Sequence, residues 1–251
     1  MAVEISLEKL LEAGAHFGHQ RRRWNPKMQQ FLFGMKEGIF VFDLVQTQKC
    51  LELALNEVTK AAAEDKIILL VGTKKQAKEK VAEVGKATGF PYVDERWLGG
   101  TLTNFSQMRS TVKNLENLRK RRLDANKIGF TKKEKLLLDR KIEKFDKSFG
   151  GIIKQEQLPD LLFIIDAGRE KGAVAEAKRL NIPVIAVVDS NTDPSFIDFP
   201  IPMNDDAKKA VGYVLDLFVE AVEEAKTAPK KATTKAAPKA KAKAKTKTKE
   251  K

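Results

Sequence analysis

Cysteine is almost absent: Cys50 stands alone in 251 residues, so an internal disulfide framework and a four-thiolate zinc site are both excluded. That usage fits a reducing compartment. Long apolar runs are absent too, since the longest, at 161–165 and 182–188, fall far short of the roughly 20 residues a membrane helix needs. The N-terminal segment alternates acids with apolar residues and has no basic region followed by an apolar stretch, so no signal peptide is expected and the location expected is cytoplasmic. Enzymatic signatures are missing as well. VGTKKQ at 71–76 lacks the upstream glycine of a phosphate loop, and Gly168 and Gly172 in DAGREKG do not make a dinucleotide fingerprint. No serine or cysteine sits in a nucleophile motif beside a histidine.

What is present is charge, unevenly placed. The formal net charge is +13, from 47 Lys plus Arg against 34 Asp plus Glu. Residues 226–251 carry 11 Lys and one Glu and no aliphatic side chain larger than Ala. Such a segment cannot bury enough apolar area to offset an ordering cost of roughly 1–2 kcal/mol per residue, so disorder is expected there. Its lysines suit nucleic-acid phosphates, or serve only solubility. Residues 104–149 hold 14 basic and 6 acidic residues, and the remaining body is mildly acidic. Two appendages therefore carry all the positive excess.

In the body, short β-branched runs alternate with helix-length amphipathic stretches, the pattern of βαβ units and a parallel sheet. Strands are expected at 39–42, 67–71, 92–93, 161–165 and 184–188. Helices are expected at 6–13, 44–63, 74–88, 170–180 and 205–225, on both sides of a mainly parallel five-stranded sheet. In the last helix Val211, Val214, Leu215, Phe218, Val219 and Val222 follow helical spacing and should face the sheet. The segment 104–149 breaks the rhythm. Phe105, Met108, Val112, Leu115 and Leu118, then Leu138, Ile142, Phe145 and Phe149, form narrow heptad-like stripes. With Asn104 as N-cap, Thr131 and Glu134 as a capping box, a turn near 123–130 and Gly150-Gly151 as a stop, they imply an antiparallel helical hairpin of about 18 residues per arm, roughly 27 Å long. The organisation expected is an α/β body at 1–103 and 150–225, a hairpin at 104–149 and a tail at 226–251.

Two groups of residues invite a functional reading. In RRRWNPKM, Arg21, Arg22, Arg23 and Lys27 surround Trp24, a combination suited to RNA phosphates and bases, although a solvated loop with a buried Trp has the same composition. His16 and His19, with Asp166, Asp189, Asp193, Asp205 and Asp206 near strand ends, offer N and O ligands for a divalent ion; the alternative is helix capping and packing. Trp97, in RWLGGTLTN, is expected to anchor the hairpin.

The blocks HFGHQRRRWNPKM, FLFGMKEGIFVFDL, RWLGGTLTN, LPDLLFIIDA with Glu170 and Ala177, IPVIAVVDSNTDP and FPIPMNDDA, in this order, resemble the bacterial small-subunit ribosomal protein S2 family over about residues 5–225. The resemblance implies a flavodoxin-like three-layer α/β domain, a protruding coiled-coil hairpin and a structural role on the small ribosomal subunit. It also implies contact with small-subunit ribosomal RNA and neighbouring ribosomal proteins, help in docking ribosomal protein S1, no catalytic activity and no required cofactor. The family's acidic and histidine positions near the S1 surface correspond to His19, Asp189, Asp205 and Asp206, a possible site for zinc. The tail is outside the resemblance. RNA contact is expected from Arg21, Arg22, Arg23, Lys27, Arg109, Lys113, Arg119, Lys120, Arg121, Arg122, Lys132 and Lys133, positioning the protein without reading sequence. No membrane or DNA partner is expected. The rival readings are a free nucleic-acid binder driven by the tail, and an RNA- or nucleotide-directed enzyme.

Overall fold

A computed structural model describes residues 4–124 and 129–227. The expected tail from residue 228 onward, and residues 125–128 of the expected hairpin turn, lie outside these. In chain order the elements are α1 (Leu7–Glu12), β1 (Phe17–Gln20), β2 (Leu32–Lys36), β3 (Ile39–Phe42), α2 (Leu44–Ala63), β4 (Ile68–Val71), α3 (Lys78–Thr88), β5 (Tyr92–Val93), α4 (Phe105–Leu123), α5 (Lys132–Phe149), β6 (Leu161–Ile164), α6 (Lys171–Arg179), β7 (Val184–Val188), β8 (Phe199–Pro202) and α7 (Lys208–Thr227).

β4, β6 and β7 are apolar at every position and fully buried, as strands covered on both faces must be. They form the centre of a five-stranded, all-parallel sheet ordered β5-β4-β6-β7-β8. Alternation along each strand then divides the core. Leu161, Phe163, Ile165, Ile185 and Val187 face one layer, with Leu51 and Leu55 of α2, Val81 of α3 and Val214 and Phe218 of α7. Leu162, Ile164, Ala186 and Val188 face the other, with Ala173 and Ala177 of α6, Trp97 and the hairpin root. The result is a three-layer α/β body of flavodoxin-like type. The α7 stripe behaves as its spacing predicts, except that Val219 is only half-buried.

One expected strand belongs elsewhere. β3 does not join the parallel sheet but pairs antiparallel with β1 and β2 in a separate three-stranded sheet. A two-residue turn decides this: Glu37 and Gly38 both take positive φ, 52° and 80°, with Lys36 opposite Ile39. That is a type I′ hairpin turn, whose twist matches paired strands. The fifth parallel strand is β8, FPIP, which its two prolines argue against in sequence. It is tolerated because β8 pairs only with β7, at the sheet edge.

The hairpin arms are α4 and α5, 19 and 18 residues long. Met108, Val112, Leu115 and Leu118 are buried along the seam, while the α5 stripe is half-buried. Thr131 and Glu134 form the capping box in both directions. Asn104 occupies the N-cap position of α4, but its side chain makes no capping hydrogen bond. α3 and α7 also start later than their patterns suggest: residues 74–77 and 204–207 are not helical and place Lys74, Asp205 and Asp206 beside one another.

Candidate nucleic-acid interface

The arginine loop leaves β1 and is pinned from below. The Asn25 N–H donates to the Ser190 carbonyl at 2.7 Å, the Asn25 side chain accepts from the Lys27 N–H at 3.0 Å, and Met28 is completely buried. Trp24 is half-buried against Phe40, ring centroids 4.6 Å apart, so one face of the indole is already taken. Arg21, Arg22 and Arg23 remain exposed, with no ion pair among the described residues. Lys27 is different: its ammonium donates to Asp193 at 2.7 Å and to Ser195 at 3.0 Å. The bond from Lys27, with those Asp193 accepts from Ser195, pulls the Asp193 carboxyl down to about 2.

The hairpin divides its cations in the same way. Arg109 donates to the backbone carbonyls of Ile153 and Gln155, at 3.3 and 2.7 Å, and so ties α4 to the chain after α5. Arg119 reaches Asp146 at 2.6 Å, and Arg122 holds Asp139 through two bonds of 2.5 and 3.0 Å; both brace one arm against the other. The Arg121 guanidinium lies 5.9 Å from the Phe130 ring centroid. Lys113, Lys120, Lys132 and Lys133 are exposed and carry no ion pair among the described residues. Of the basic residues singled out in the sequence, then, Lys27, Arg109, Arg119 and Arg122 have internal polar partners, Arg121 lies over Phe130, and Arg21, Arg22, Arg23, Lys113, Lys120, Lys132 and Lys133 are exposed.

What aims the hairpin is a residue that sequence reasoning passed over. Glu176, on α6, is 8% exposed, and its carboxylate accepts five hydrogen bonds from the segment that leads into α4. One oxygen takes the Trp97 indole N–H at 3.0 Å and the Gly100 N–H at 2.8 Å. The other takes the Leu102 N–H, the Thr103 N–H and the Thr103 hydroxyl, each at 3.0 Å. Burial opposes its ionisation, but the bonds from Thr103, Trp97, Gly100 and Leu102 outweigh that and hold the carboxyl below its ordinary range. The available signal was positional: Glu176 falls on the inward stripe with Ala173 and Ala177, where a charge is unexpected.

At the carboxyl ends of the strands lies an acidic face rather than a phosphate cradle. Lys74 sits among carboxylates, 2.6 Å from Asp205, 2.7 Å from Asp206 and 3.5 Å from Asp166. Burial would lower its pKa, but these partners raise it well above the ordinary lysine range. Burial, with the charges of Asp189 and Asp166, pushes the Asp205 carboxyl upward against the pull of Lys74. Thr73 donates to the buried Glu170 carboxylate and accepts from the Arg169 guanidinium. A lysine surrounded this way is not offered to a nucleotide phosphate. Beside it, His19 Nδ1 is 2.8 Å from Asp189 Oδ1, while His19 Nε2 is 3.9 Å from Asp206 and 3.3 Å from the Asn191 amide. The bond to Asp189 raises the His19 pKa despite burial, and Asp205 and Asp206 add to the effect. Ligand atoms of His19, Asp189 and Asp206 lie within 4.8 Å of one another. Asp205 is not in that group; its carboxylate is buried, 2.6 Å from the Lys74 ammonium.

Together, fold and site describe an α/β scaffold that presents outward cations on a loop and on a braced hairpin. Comparison with known proteins agrees. The family model described as "Ribosomal protein S2" matches residues 10–225. The protein "Small ribosomal subunit protein uS2" of Helicobacter hepaticus is 45% identical over 226 residues, covering 90% of this chain and 86% of its own length. Those of Wolinella succinogenes and Campylobacter lari are 46% and 49% identical over 222 residues, each covering 88% of this chain and 82% and 85% of their own lengths. The chain belongs to the ribosomal protein S2 family, and its role is that of a structural, non-enzymatic component of the small ribosomal subunit. Among the described residues no helix is long and apolar enough to cross a membrane.

Proposed function

We propose that this protein grips small-subunit ribosomal RNA through Arg21, Arg22 and Arg23 and through the outward lysines Lys113, Lys120, Lys132 and Lys133 of the hairpin. The observation that carries the reading is that these side chains are exposed and without internal ion pairs, while neighbouring cations are consumed in bracing the scaffold that presents them. Lys27, Arg109, Arg119 and Arg122 would then shape the interface, with Arg121 between the two groups. Adjacent like charges held on a pinned loop repel one another, a cost that a polyanion relieves. Work would take place on cytoplasmic ribosomes.

The acidic face repels phosphates and suits a protein, and docking of ribosomal protein S1 there is the natural assignment. A zinc ion would fit the same face through His19 Nε2 and Asp206, with Asp189 a further ligand or the group that orients the imidazole. Its chemistry would be structural.

The test is sedimentation of tagged protein through sucrose gradients at moderate and high salt, for wild type and for the triple variant Lys113→Glu/Lys120→Glu/Lys133→Glu. Wild type should travel with small subunits at both salt concentrations and the variant should not. Equal incorporation would remove the hairpin from the RNA contact. Loss of wild-type association on deleting residues 228–251 would transfer the activity to the tail.

A further inference from the structure

Between α6 and the 3-10 turn Pro194–Phe196 runs an open groove of about 640 Å³ that the RNA reading does not use. Its floor is aliphatic, with Val174, Ala175 and Ile197. Helical spacing explains the shape. Lys171, Ala175, Lys178 and Arg179 share the outward stripe of α6, and the small Ala175 leaves a depression between a cation one turn before it and two cations one turn after it. The far wall is Phe196, 53% exposed, with the Lys178 ammonium 4.1 Å from its ring centroid. Lys171 and Arg179 make no ion pair among the described residues. The one carboxylate on the rim, Asp193, is already neutralised by Lys27.

We propose that this groove docks an acidic, amphipathic peptide segment of a protein partner, with apolar side chains on Val174, Ala175, Ile197 and Phe196 and carboxylates on Lys171, Lys178 and Arg179. Charge complementarity selects the occupant. The lysine-rich residues 228–251 of this chain are repelled by the same rim. A nucleic-acid strand would set polar bases on an aliphatic floor. The stripe from Lys171 to Arg179 spans roughly 12 Å at 1.5 Å per residue, so about two turns of a helix would fill it, with apolar anchors at i and i+4. This site is independent of the RNA contact and would survive its failure.

The experiment uses the purified full chain and three fluorescent probes: a helix-forming, glutamate-rich peptide of roughly 14 residues with two leucines four apart, the same peptide with serine for both leucines, and an oligo-uridylate of about 12 nucleotides. Binding by anisotropy is compared in wild type, Ala175→Trp, Phe196→Ser and Lys171→Glu/Arg179→Glu. All these positions are exposed, so folding should be little affected. The leucine peptide should lose about tenfold in affinity in each variant, a scale set by one buried aliphatic side chain or a pair of charges. The serine peptide should bind more weakly and be indifferent to Ala175→Trp, and oligo-uridylate should be indifferent to both Ala175→Trp and Phe196→Ser. Equal affinity of the leucine peptide for wild type and Ala175→Trp, or no affinity at all, would overturn the proposal. So would weakening of oligo-uridylate alone, which would make the groove a nucleic-acid contact.

Discussion

Replacing Glu176 by alanine should loosen the hairpin root more than any surface change of equal size. The carboxylate holds five donors, of which the Trp97 indole N–H and the Leu102 N–H belong to buried residues. Hydrogen bonds to a charged group contribute about 1.5–3 kcal/mol each, but they are not additive, and water entering the vacated space would serve some of the donors. About 3–5 kcal/mol is therefore expected, the range for breaking a buried charged network. For a body of this size that lowers Tm by about 6–20 °C, at about 2–4 °C per kcal/mol. Glu176→Gln should cost less, since one oxygen still accepts while the amide nitrogen faces donors. The assay is denaturant unfolding followed by tryptophan fluorescence, Trp97 reporting the root directly. The pH dependence has a definite sign: the Glu176 pKa is depressed on folding, so its stabilisation is present above the ordinary carboxylate range and lost as pH falls below it. The acid limb of the stability profile should therefore flatten in Glu176→Gln. A loss below about 1 kcal/mol for the alanine variant would refute the reasoning, showing that apolar packing around Trp97 alone fixes the root.

The triple reversal Lys113→Glu/Lys120→Glu/Lys133→Glu should reduce the salt slope of binding to purified small-subunit RNA by about 2–3, one unit or slightly less per lost phosphate contact, with Tm nearly unchanged; an unaltered slope would exclude these lysines. Reversing Arg119 and Arg122 instead should lower Tm as well as binding, because it breaks the braces to Asp146 and Asp139. Lys27→Met should let the Asp193 carboxyl rise from about 2 toward the ordinary range, seen by carboxyl NMR titration; the interaction is stabilising above that range and disappears as pH falls through about 2. Metal analysis after dialysis against zinc should give bound ion in wild type and less in His19→Ala; equal content would remove the site.

Much of the molecule follows from local patterns. The apolar runs at 161–165 and 184–188 can only be buried strands, the α7 stripe can only face a sheet, and the heptad stripes with a TKKE capping box define hairpin arms that differ from expectation by about a residue. The separation of charge into a basic hairpin, a basic tail and an acidic body is likewise arithmetic on the sequence. Partnership across distant segments is a different matter. Residues 39–42 have the composition of a sheet strand, yet a two-residue turn commits them to a local hairpin, while a proline-rich segment becomes the edge strand because only there is a missing N–H harmless. Nothing local distinguishes Arg122 from Lys120 or Lys27 from Arg23; a carboxylate brought near from elsewhere in the chain decides which cation is spent within the fold and which is left for a partner. The same holds for Glu176, whose partners are 73 to 79 residues away, and for Lys74, surrounded by acids that follow β6 and β8. Periodicity encodes which face a side chain occupies, and packing at long range alone determines what it meets there.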